Sequence, residues 1–330
     1  MNSQVNEMNY KMGPYNPIED LSIIPTKENR VYRMITATIE DEKVHFPSQE
    51  AFSEAIKVGF FRIKAPVEMD LKVGRTFAQT FTSVPKYAQF GVLDVVNGYL
   101  QSEQNQTIRF TLERDNWDKC HVNQKETKGL SNYPIEVQKL GHQMHEIGIK
   151  VLKSILEEFK IPKELWFEAT GGSSEGEGSH FLLFNCYDPK NGISKVDGVA
   201  PHKDWGHITV LEATDKGLEA EIEGIWKSIY LEDGYLTINF GYPLEKLLPK
   251  VKASNHRVAT QIDRMRTSIV AFIDPRVGPY RNPLEHLGVG MVYDWNENQG
   301  KLENGEATTS FFTRLSNLLY GKDQSGSENK

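Results

Sequence analysis

The chain has 330 residues, of which 38% are hydrophobic and 25% are charged. That balance is typical of a folded globular protein and excludes an intrinsically disordered chain. Its 45 acidic and 38 basic side chains give a formal net charge of −7, so the sequence offers no basic footprint for nucleic acid or for an anionic membrane surface. We therefore expect a small-molecule partner, and neither nucleic acid nor membrane.

The termini and the cysteines bear on compartment and assembly. Residues 1–17 lack the charged and then apolar pattern of a signal peptide, and no run of about 18 apolar residues occurs in the chain. Cys120 and Cys186 are the only cysteines and lie far apart, which favours a reducing compartment over a disulfide framework. We expect a cytoplasmic monomer whose polar ends, residues 1–17 and 321–330, are frayed.

The first half of the chain predicts an N-terminal module and a long helix. In the module, residues 30–133, a helix around Ser48 to Lys57 leads into an aromatic and β-branched strand at Val58 to Ile63. Apolar residues then recur every three or four positions between Pro134 and Phe159, which is the pattern of an amphipathic helix. We expect residues 134–160 to form a helix that supports the rest of the fold.

The chain after Ser179 consists of short β-rich runs separated by turn residues. These runs are Phe181 to Tyr187, Ile208 to Glu212, Ile225 to Tyr230, Tyr235 to Phe240 and Thr267 to Ile273. Regular short strands of this kind predict a jelly-roll core, a double-stranded β-helix, over residues 180–280. Residues 281–320 would close the fold with a helix at Thr309 to Tyr320. The prediction is one mainly β domain with flanking helices, of the α+β class.

Three residues indicate a metal site. His202 and Asp204 are two positions apart, after a turn at Pro201 and before the β-branched run that begins at Ile208. In an extended chain such residues face the same side, so both side chains can reach one ion. His256 lies far enough along the chain for several strands to return it to the same barrel mouth. Two imidazoles and one carboxylate are the open ligand set of non-haem Fe(II) oxygenases.

An anion site is indicated shortly beyond the second histidine. Strand alternation puts Arg266 and Ser268 on one face. A guanidinium directed into a barrel needs an anion, because an isolated buried charge loses its hydration. The distal carboxylate of 2-oxoglutarate would accept paired hydrogen bonds from Arg266 and a third from Ser268. The alternative is a surface arginine paired with Asp263 or Asp274.

Together these motifs resemble the isopenicillin N synthase-like family of Fe(II)/2-oxoglutarate dioxygenases. The resemblance rests on His202-Lys203-Asp204-Trp205-Gly206-His207, on Asn255-His256-Arg257-Val258, and on Arg266-Thr267-Ser268 with the downstream Pro275. Asn185-Cys186-Tyr187 and Gly59-Phe60-Phe61 are similar to two further elements of that family. The similarity covers roughly residues 30–320, and the joint spacing is far more specific than any one motif.

The resemblance implies a chemistry and a set of residues for it. It implies Fe(II), 2-oxoglutarate as cosubstrate and O₂, with iron ligands at His202, Asp204 and His256. It also implies that a tyrosine hydroxyl helps to bind 2-oxoglutarate, in a cosubstrate site formed by Asn185, Tyr187, Arg266 and Ser268. Two departures from the family pattern, at Cys186 and Tyr242, remove no ligand. The intact Asp204 disfavours halogenation, because related halogenases have a small residue at that position.

We therefore expect an oxidoreductase of specialised metabolism. It would be an Fe(II)/2-oxoglutarate-dependent dioxygenase that hydroxylates, desaturates or cyclises a small metabolite, with succinate and CO₂ as coproducts. The expected substrate bears a carboxylate or derives from an amino acid. Three alternatives stay open: a 2-oxoglutarate-independent oxidase or cyclase of the same family, a non-catalytic binding protein on this scaffold, and a cupin-like structural metal protein.

Candidate substrate residues lie in the segment from Tyr99 to Trp117, which we place over the barrel mouth. Apolar and cationic residues alternate there, so Arg109 or Arg114 could face inward and bind a substrate carboxylate. The alternative is a solvated charge on an edge strand. Aromatic residues near Phe272 are the next candidates.

The remaining histidines receive weaker interpretations. His142 and His145 lie three positions apart on the predicted long helix with no third ligand nearby, and we interpret them as helix-surface residues. His207 is close in sequence to the predicted metal ligands and could stand beside them.

Overall fold

The computed structural model describes residues 31–81, 98–101, 106–111, 134–178, 180–188, 199–204, 206–213, 216–259 and 265–275, and it describes only the backbone of residues 98–101, 106–111 and 200. Within these residues, two β-sheets lie with helices on one side of the larger sheet. The predicted closing helix at Thr309 to Tyr320 lies outside the described residues. No helix in the described part of the chain combines the length and apolarity that a membrane span requires.

The larger sheet has nine strands in the order β3-β2-β4-β12-β9-β14-β7-β6-β5. Its strands are β2 (Thr36–Glu40), β3 (Lys43–His45), β4 (Phe60–Lys64), β5 (Gly98–Gln101), β6 (Gln106–Thr111), β7 (Phe181–Tyr187), β9 (Ile208–Ala213), β12 (Tyr235–Phe240) and β14 (Arg266–Ile273). All residues of β7 and β9 are buried, because helices cover one face of this sheet and the second sheet covers the other. That two-sided burial suits the predominance of apolar residues in both strands.

The smaller sheet has five strands in the order β1-β11-β10-β13-β8. Its strands are β1 (Val31–Tyr32), β8 (Val199–His202), β10 (Leu218–Ile222), β11 (Ile225–Ile229) and β13 (His256–Val258). Side chains of β7, β9 and β14 from the larger sheet meet those of β10 and β11 in one apolar cluster that includes Leu183, Leu211, Leu218 and Val270. This cluster joins the two sheets and forms the floor of the cavity described below.

The helices are α1 (Gln49–Val58), α2 (Leu71–Thr80), α3 (Ile135–Glu158), α4 (Trp166–Ala169) and α5 (Tyr242–Leu247), with short 3₁₀ turns at Lys163–Leu165 and Ser173–Glu175. The long helix α3 begins after Pro134 and buries an apolar stripe from Val137 to Leu156. That stripe packs on the face of β9 and β14 that points away from the second sheet. The helix therefore holds the central strands from behind the cavity.

The interpretation of His145 as a surface residue is wrong. His142 is exposed as expected, but His145 is only 4% exposed. Its ring lies 4.1 Å from the ring of His180, measured between centroids. Burial, and then the neighbouring His142, lower the pKa of His145 to about 4. The error arose because the buried stripe of α3 is wider than a simple spacing of three and four residues indicates.

Candidate active site

Three side chains converge at the end of the smaller sheet. His202 ends β8, and its register partner across the antiparallel pair is His256, the first residue of β13. Because directly opposite residues share a face, the two imidazole rings lie 4.4 Å apart between centroids. Asp204 Oδ1 lies 3.6 Å from Nε2 of each histidine. Within the described residues, this is the one His, Cys, Asp or Glu group whose donor atoms could hold a metal ion.

The loop that carries Asp204 is fixed by backbone hydrogen bonds to the larger sheet. The Tyr242 amide donates to the Asp204 carbonyl at 2.7 Å, and the Gly241 amide donates to the His207 carbonyl at 3.0 Å. The His207 amide in turn donates to the last carbonyl of β14 at 2.9 Å. A Cβ at Gly241 would lie 1.7 Å from the carbonyl oxygen of Gly206, so only glycine permits this approach. The loop from 204 to 207 is thus held between the ends of β12 and β14.

The protonation states of His256 and Asp204 suit a divalent cation. Nδ1 of His256 lies 3.1 Å from the Ser254 carbonyl, to which it donates, and this tautomer leaves Nε2 with a lone pair for a metal. Burial holds the pKa of His256 below its ordinary value. Burial alone would raise the pKa of Asp204, but the adjacent His256 and His202 outweigh it, so that pKa lies below its usual range. Two imidazoles and one carboxylate fit Fe(II).

Asn239, on β12, contacts the carboxylate from the opposite side. Its Nδ2 lies 3.4 Å from Asp204 Oδ2, and the Asn239 side chain is 5% exposed. An amide donor at this oxygen leaves the other oxygen, Oδ1, directed at the two histidines. Strand alternation in β12 would have placed Asn239 on the cavity face, but an isolated asparagine gave no signal of its own.

A buried cation lies further along the same cavity. Arg266 is 3% exposed, so the alternative of a surface arginine is wrong. Its Nε and Nη1 have no hydrogen-bond partner among the described residues, and its Cζ lies 4.9 Å from the centroid of the Tyr187 ring. A buried guanidinium with unsatisfied donors is costly until an anion joins it. The cavity therefore contains a site suited to a carboxylate.

Beside Arg266, Ser268 and Asn185 are register partners in the β14 and β7 pair. Asn185 Nδ2 donates to Ser268 Oγ at 3.0 Å. Because the serine oxygen accepts this bond, its O–H can donate into the cavity. Arg266 and Ser268 share the cavity face, as strand alternation predicted.

One cavity joins these groups. It encloses about 850 Å³ when counted out to its open mouth. Its walls are largely apolar, and its end away from Arg266 contains Phe181, Phe272 and Asp274. The two phenylalanine rings are stacked, with centroids 4.5 Å apart. Burial, and then the charge of Asp204, hold the pKa of Asp274 well above its ordinary value.

The predicted site residues fall into two groups. The structure brings together in this cavity all the residues proposed for metal and cosubstrate, and also Phe272: His202, Asp204, His256, Asn185, Tyr187, Arg266, Ser268 and Phe272. The Arg109 backbone pairs with Leu183, a cavity residue, but the Arg109 side chain and all of Arg114 lie outside the described residues. The sequence reasoning missed Asp274 as a cavity residue, although the alternation from Arg266 along β14 would have reached it.

His207 lies behind the metal group and does not join it. It is 1% exposed, and its Nδ1 is 3.3 Å from Ser173 Oγ. Burial lowers the pKa of His207 to about 3. Its imidazole is therefore neutral at physiological pH and packs beneath the loop that it helps to fix.

Comparison with known proteins finds a family model that matches the part of the chain that forms the cavity. Residues 178–275 match the model of the 2OG-Fe(II) oxygenase superfamily. The chain is 28% identical over 193 residues to oxoglutarate-dependent flavonoid 7-O-demethylase 1 of Ocimum basilicum, which is 56% of this chain and 48% of the relative. It is 37% identical over 101 residues to mugineic-acid 3-dioxygenase of Hordeum vulgare, which is 29% of this chain and 30% of the relative. The chain thus matches about half or less of the length of these curated relatives.

The fold comparison extends over more of the chain. The crystal structure of JOX2 in complex with 2-oxoglutarate, iron and JA superposes with a TM-score of 0.59 at 17% identity, and covers 82% of this chain and 84% of that one. The prediction of a jelly-roll core with flanking helices is confirmed. The chain therefore shares its fold with that structure, and its residues 178–275 are similar to the 2OG-Fe(II) oxygenase superfamily model.

Proposed function

We propose that this protein is an Fe(II)/2-oxoglutarate-dependent oxygenase that oxidises a C–H bond of a small metabolite. One observation carries the proposal. The His202, Asp204 and His256 group opens into the same cavity as a buried arginine, Arg266, whose Nε and Nη1 lack partners among the described residues. A metal site alone would serve a structural ion, and a buried arginine alone would serve any anion. Their combination suits a metal and a dicarboxylate bound side by side.

Each residue has a role in this proposal. His202, Asp204 and His256 would hold Fe(II). Arg266 and Ser268 donate hydrogen bonds to the distal carboxylate of 2-oxoglutarate, with the Tyr187 hydroxyl as a third donor. Asn185 orients Ser268 through the 3.0 Å hydrogen bond.

The bound iron, with 2-oxoglutarate and O₂, supplies the oxidising power for C–H cleavage, and succinate and CO₂ are the coproducts. The chain contributes orientation and the exclusion of water. Apolar side chains such as Leu183, Leu211 and Val270 line the space beside the metal group, so a substrate there is shielded from solvent. The donors that hold 2-oxoglutarate lie at one end, which leaves the other end for the substrate.

The proposed substrate is a small molecule that bears a carboxylate or derives from an amino acid, and the outcome is hydroxylation, desaturation or ring closure. Two relatives are named for reactions on small molecules, a flavonoid and mugineic acid. We further propose that the protein acts as a cytoplasmic monomer.

The decisive experiment is anaerobic reconstitution with Fe(II) and 2-oxoglutarate, followed by exposure to O₂ and a metabolite screen for substrate-triggered succinate. Wild-type protein should bind both ligands, and His256→Ala should lose iron binding. The matched control is His45→Ala, because His45 is an exposed histidine on β3, and the residues that line the cavity lie far from it in the sequence. A wild-type protein that binds neither iron nor 2-oxoglutarate would refute the proposed function.

A further inference from the structure

We propose that Asp274, Phe181 and Phe272 form a subsite for a protonated amine of the substrate. This inference rests on the proposed function, since it concerns the end of the cavity that the 2-oxoglutarate donors leave free. Asp274 is 5% exposed, and its Oδ1 is buried without a hydrogen-bond partner among the described residues. It lines the same cavity as the metal group.

The position of Asp274 is fixed by its neighbours. Its backbone amide donates to Nδ1 of His180 at 3.1 Å. Its carboxylate lies against the metal-binding loop, because a Cβ built on Gly206 would come within 2.3 Å of Asp274 Oδ1. A buried carboxyl group that is held in place and lacks a partner presents a prepared acceptor to whatever enters the cavity.

The two phenylalanines point to a cation as the ligand of this acceptor. Phe272 and Phe181 are register partners on β14 and β7, and their rings stack with centroids 4.5 Å apart and planes inclined by 20°. Phe272 precedes Asp274 by two residues, so the alternation of the strand directs both into the cavity. Aromatic faces attract ammonium groups, and a carboxylate beside them adds an ionic hydrogen bond.

The charges of the cavity support the same conclusion. Among the described lining residues, the permanently charged or acidic side chains are Asp204, Asp274 and Arg266. Doubly charged Fe(II) and doubly charged 2-oxoglutarate neutralise each other, and Arg266 balances Asp204. The remaining acidic group is Asp274: its raised pKa favours the protonated form in the empty cavity, and an ammonium group beside it shifts that balance towards the carboxylate. A substrate with one positive charge makes the loaded cavity neutral, whereas a second anion at this end would be repelled.

The test compares three probes that share one skeleton: phenethylamine, 2-phenylethanol and 3-phenylpropanoate. Their dissociation constants are measured by ligand-observed NMR titration against anaerobic protein loaded with Fe(II) and 2-oxoglutarate. The amine should bind at least about tenfold more tightly than the carboxylate, as expected for one charge-assisted hydrogen bond. The alcohol should lie between them.

Three variants locate the effect. Asp274→Asn keeps the size of the side chain and should abolish the preference for the amine. Phe272→Leu should weaken amine binding several-fold and keep the preference over the carboxylate. The control is Glu219→Gln, because Glu219 follows the cavity residue Leu218 but pairs with Arg257 at 2.7 Å outside the cavity. This control should behave as wild type.

Two results would overturn the inference: a wild-type protein with no preference for the amine, or a preference that survives in Asp274→Asn. Binding of Fe(II) and 2-oxoglutarate is recorded on the same samples by the visible absorption of the chelate. Loss of that absorption in the wild type refutes the proposed function. Retained absorption without amine preference refutes the amine subsite alone.

Discussion

Acid should destabilise this protein partly through one buried histidine that touches no proposed ligand of the metal. His145 lies on α3, with its ring against His180 and its Nε2 lacking a partner among the described residues. Burial keeps this imidazole neutral in the folded state. The perturbation is His145→Met, which fills similar space and cannot accept a proton.

The magnitude follows from the pKa of His145. That pKa falls from an ordinary value of 6.5 to about 4 in the folded protein, so between these values the unfolded chain binds a proton that the folded chain does not. The free energy of unfolding therefore decreases as the pH falls from about 6.5 to about 4. Below the folded pKa, the contribution of His145 no longer changes with pH. At about 1.4 kcal/mol per pKa unit, the loss is about 3 kcal/mol.

The assay is urea denaturation of metal-free protein at intervals from neutral pH to pH 4, followed by tryptophan fluorescence. The wild type should lose about 3 kcal/mol more than His145→Met over this range. Other titrating groups, such as buried His207, are present in both proteins and largely cancel in the difference. Parallel curves for the two proteins would refute the reasoning and would mean that His145 is accessible to protons in the folded state.

Three further predictions concern the cavity. Asp204→Ala should lower iron affinity severely, because it removes the one anionic ligand of the proposed set; near-wild-type iron content by metal analysis would contradict that set. Arg266→Ala should raise the apparent KM for 2-oxoglutarate and leave iron binding largely intact, with only partial recovery in Arg266→Lys because a point charge cannot reproduce a planar fork; an unchanged KM would favour a 2-oxoglutarate-independent oxidase. Gly241→Ala should weaken iron binding at least about tenfold although it replaces no ligand, since its Cβ would lie 1.7 Å from the Gly206 carbonyl oxygen and 3.0 Å from that of Asp204. Equal iron affinity in that variant would show that the loop can shift freely.

The parts of the fold that the sequence predicted well are those where burial is continuous. The strands at Phe181–Tyr187 and Tyr235–Phe240 were predicted to the residue, because each is a run of mainly aromatic and aliphatic residues bounded by turn residues. The strands at Leu218–Ile222 and His256–Val258 were missed. They are short and carry polar residues on their outer face, so tertiary pairing stabilises them more than local preference does.

The candidate site, too, was predicted from the sequence only in part. Spacing of two residues in an extended chain was enough to pair His202 with Asp204, and to put Arg266 with Ser268. The register of His256 opposite His202 could not be read from spacing, because it depends on how β13 pairs with β8. Asp274 had been considered only as a surface partner of Arg266, and its place in the cavity depends on the path of the chain after β14.

The attachment of the Asp204 loop to the ends of β12 and β14 has a mechanical consequence. His202 and His256 belong to the smaller sheet, whereas Asp204 is tied through backbone hydrogen bonds to the larger one. An ion bound by His202, Asp204 and His256 would link the two sheets. Its binding energy would then oppose their separation, and the free energy of unfolding would rise with the logarithm of ion concentration once that concentration exceeds the dissociation constant. The availability of metal in the cell would then affect the resistance of the protein to unfolding, in addition to its catalytic activity.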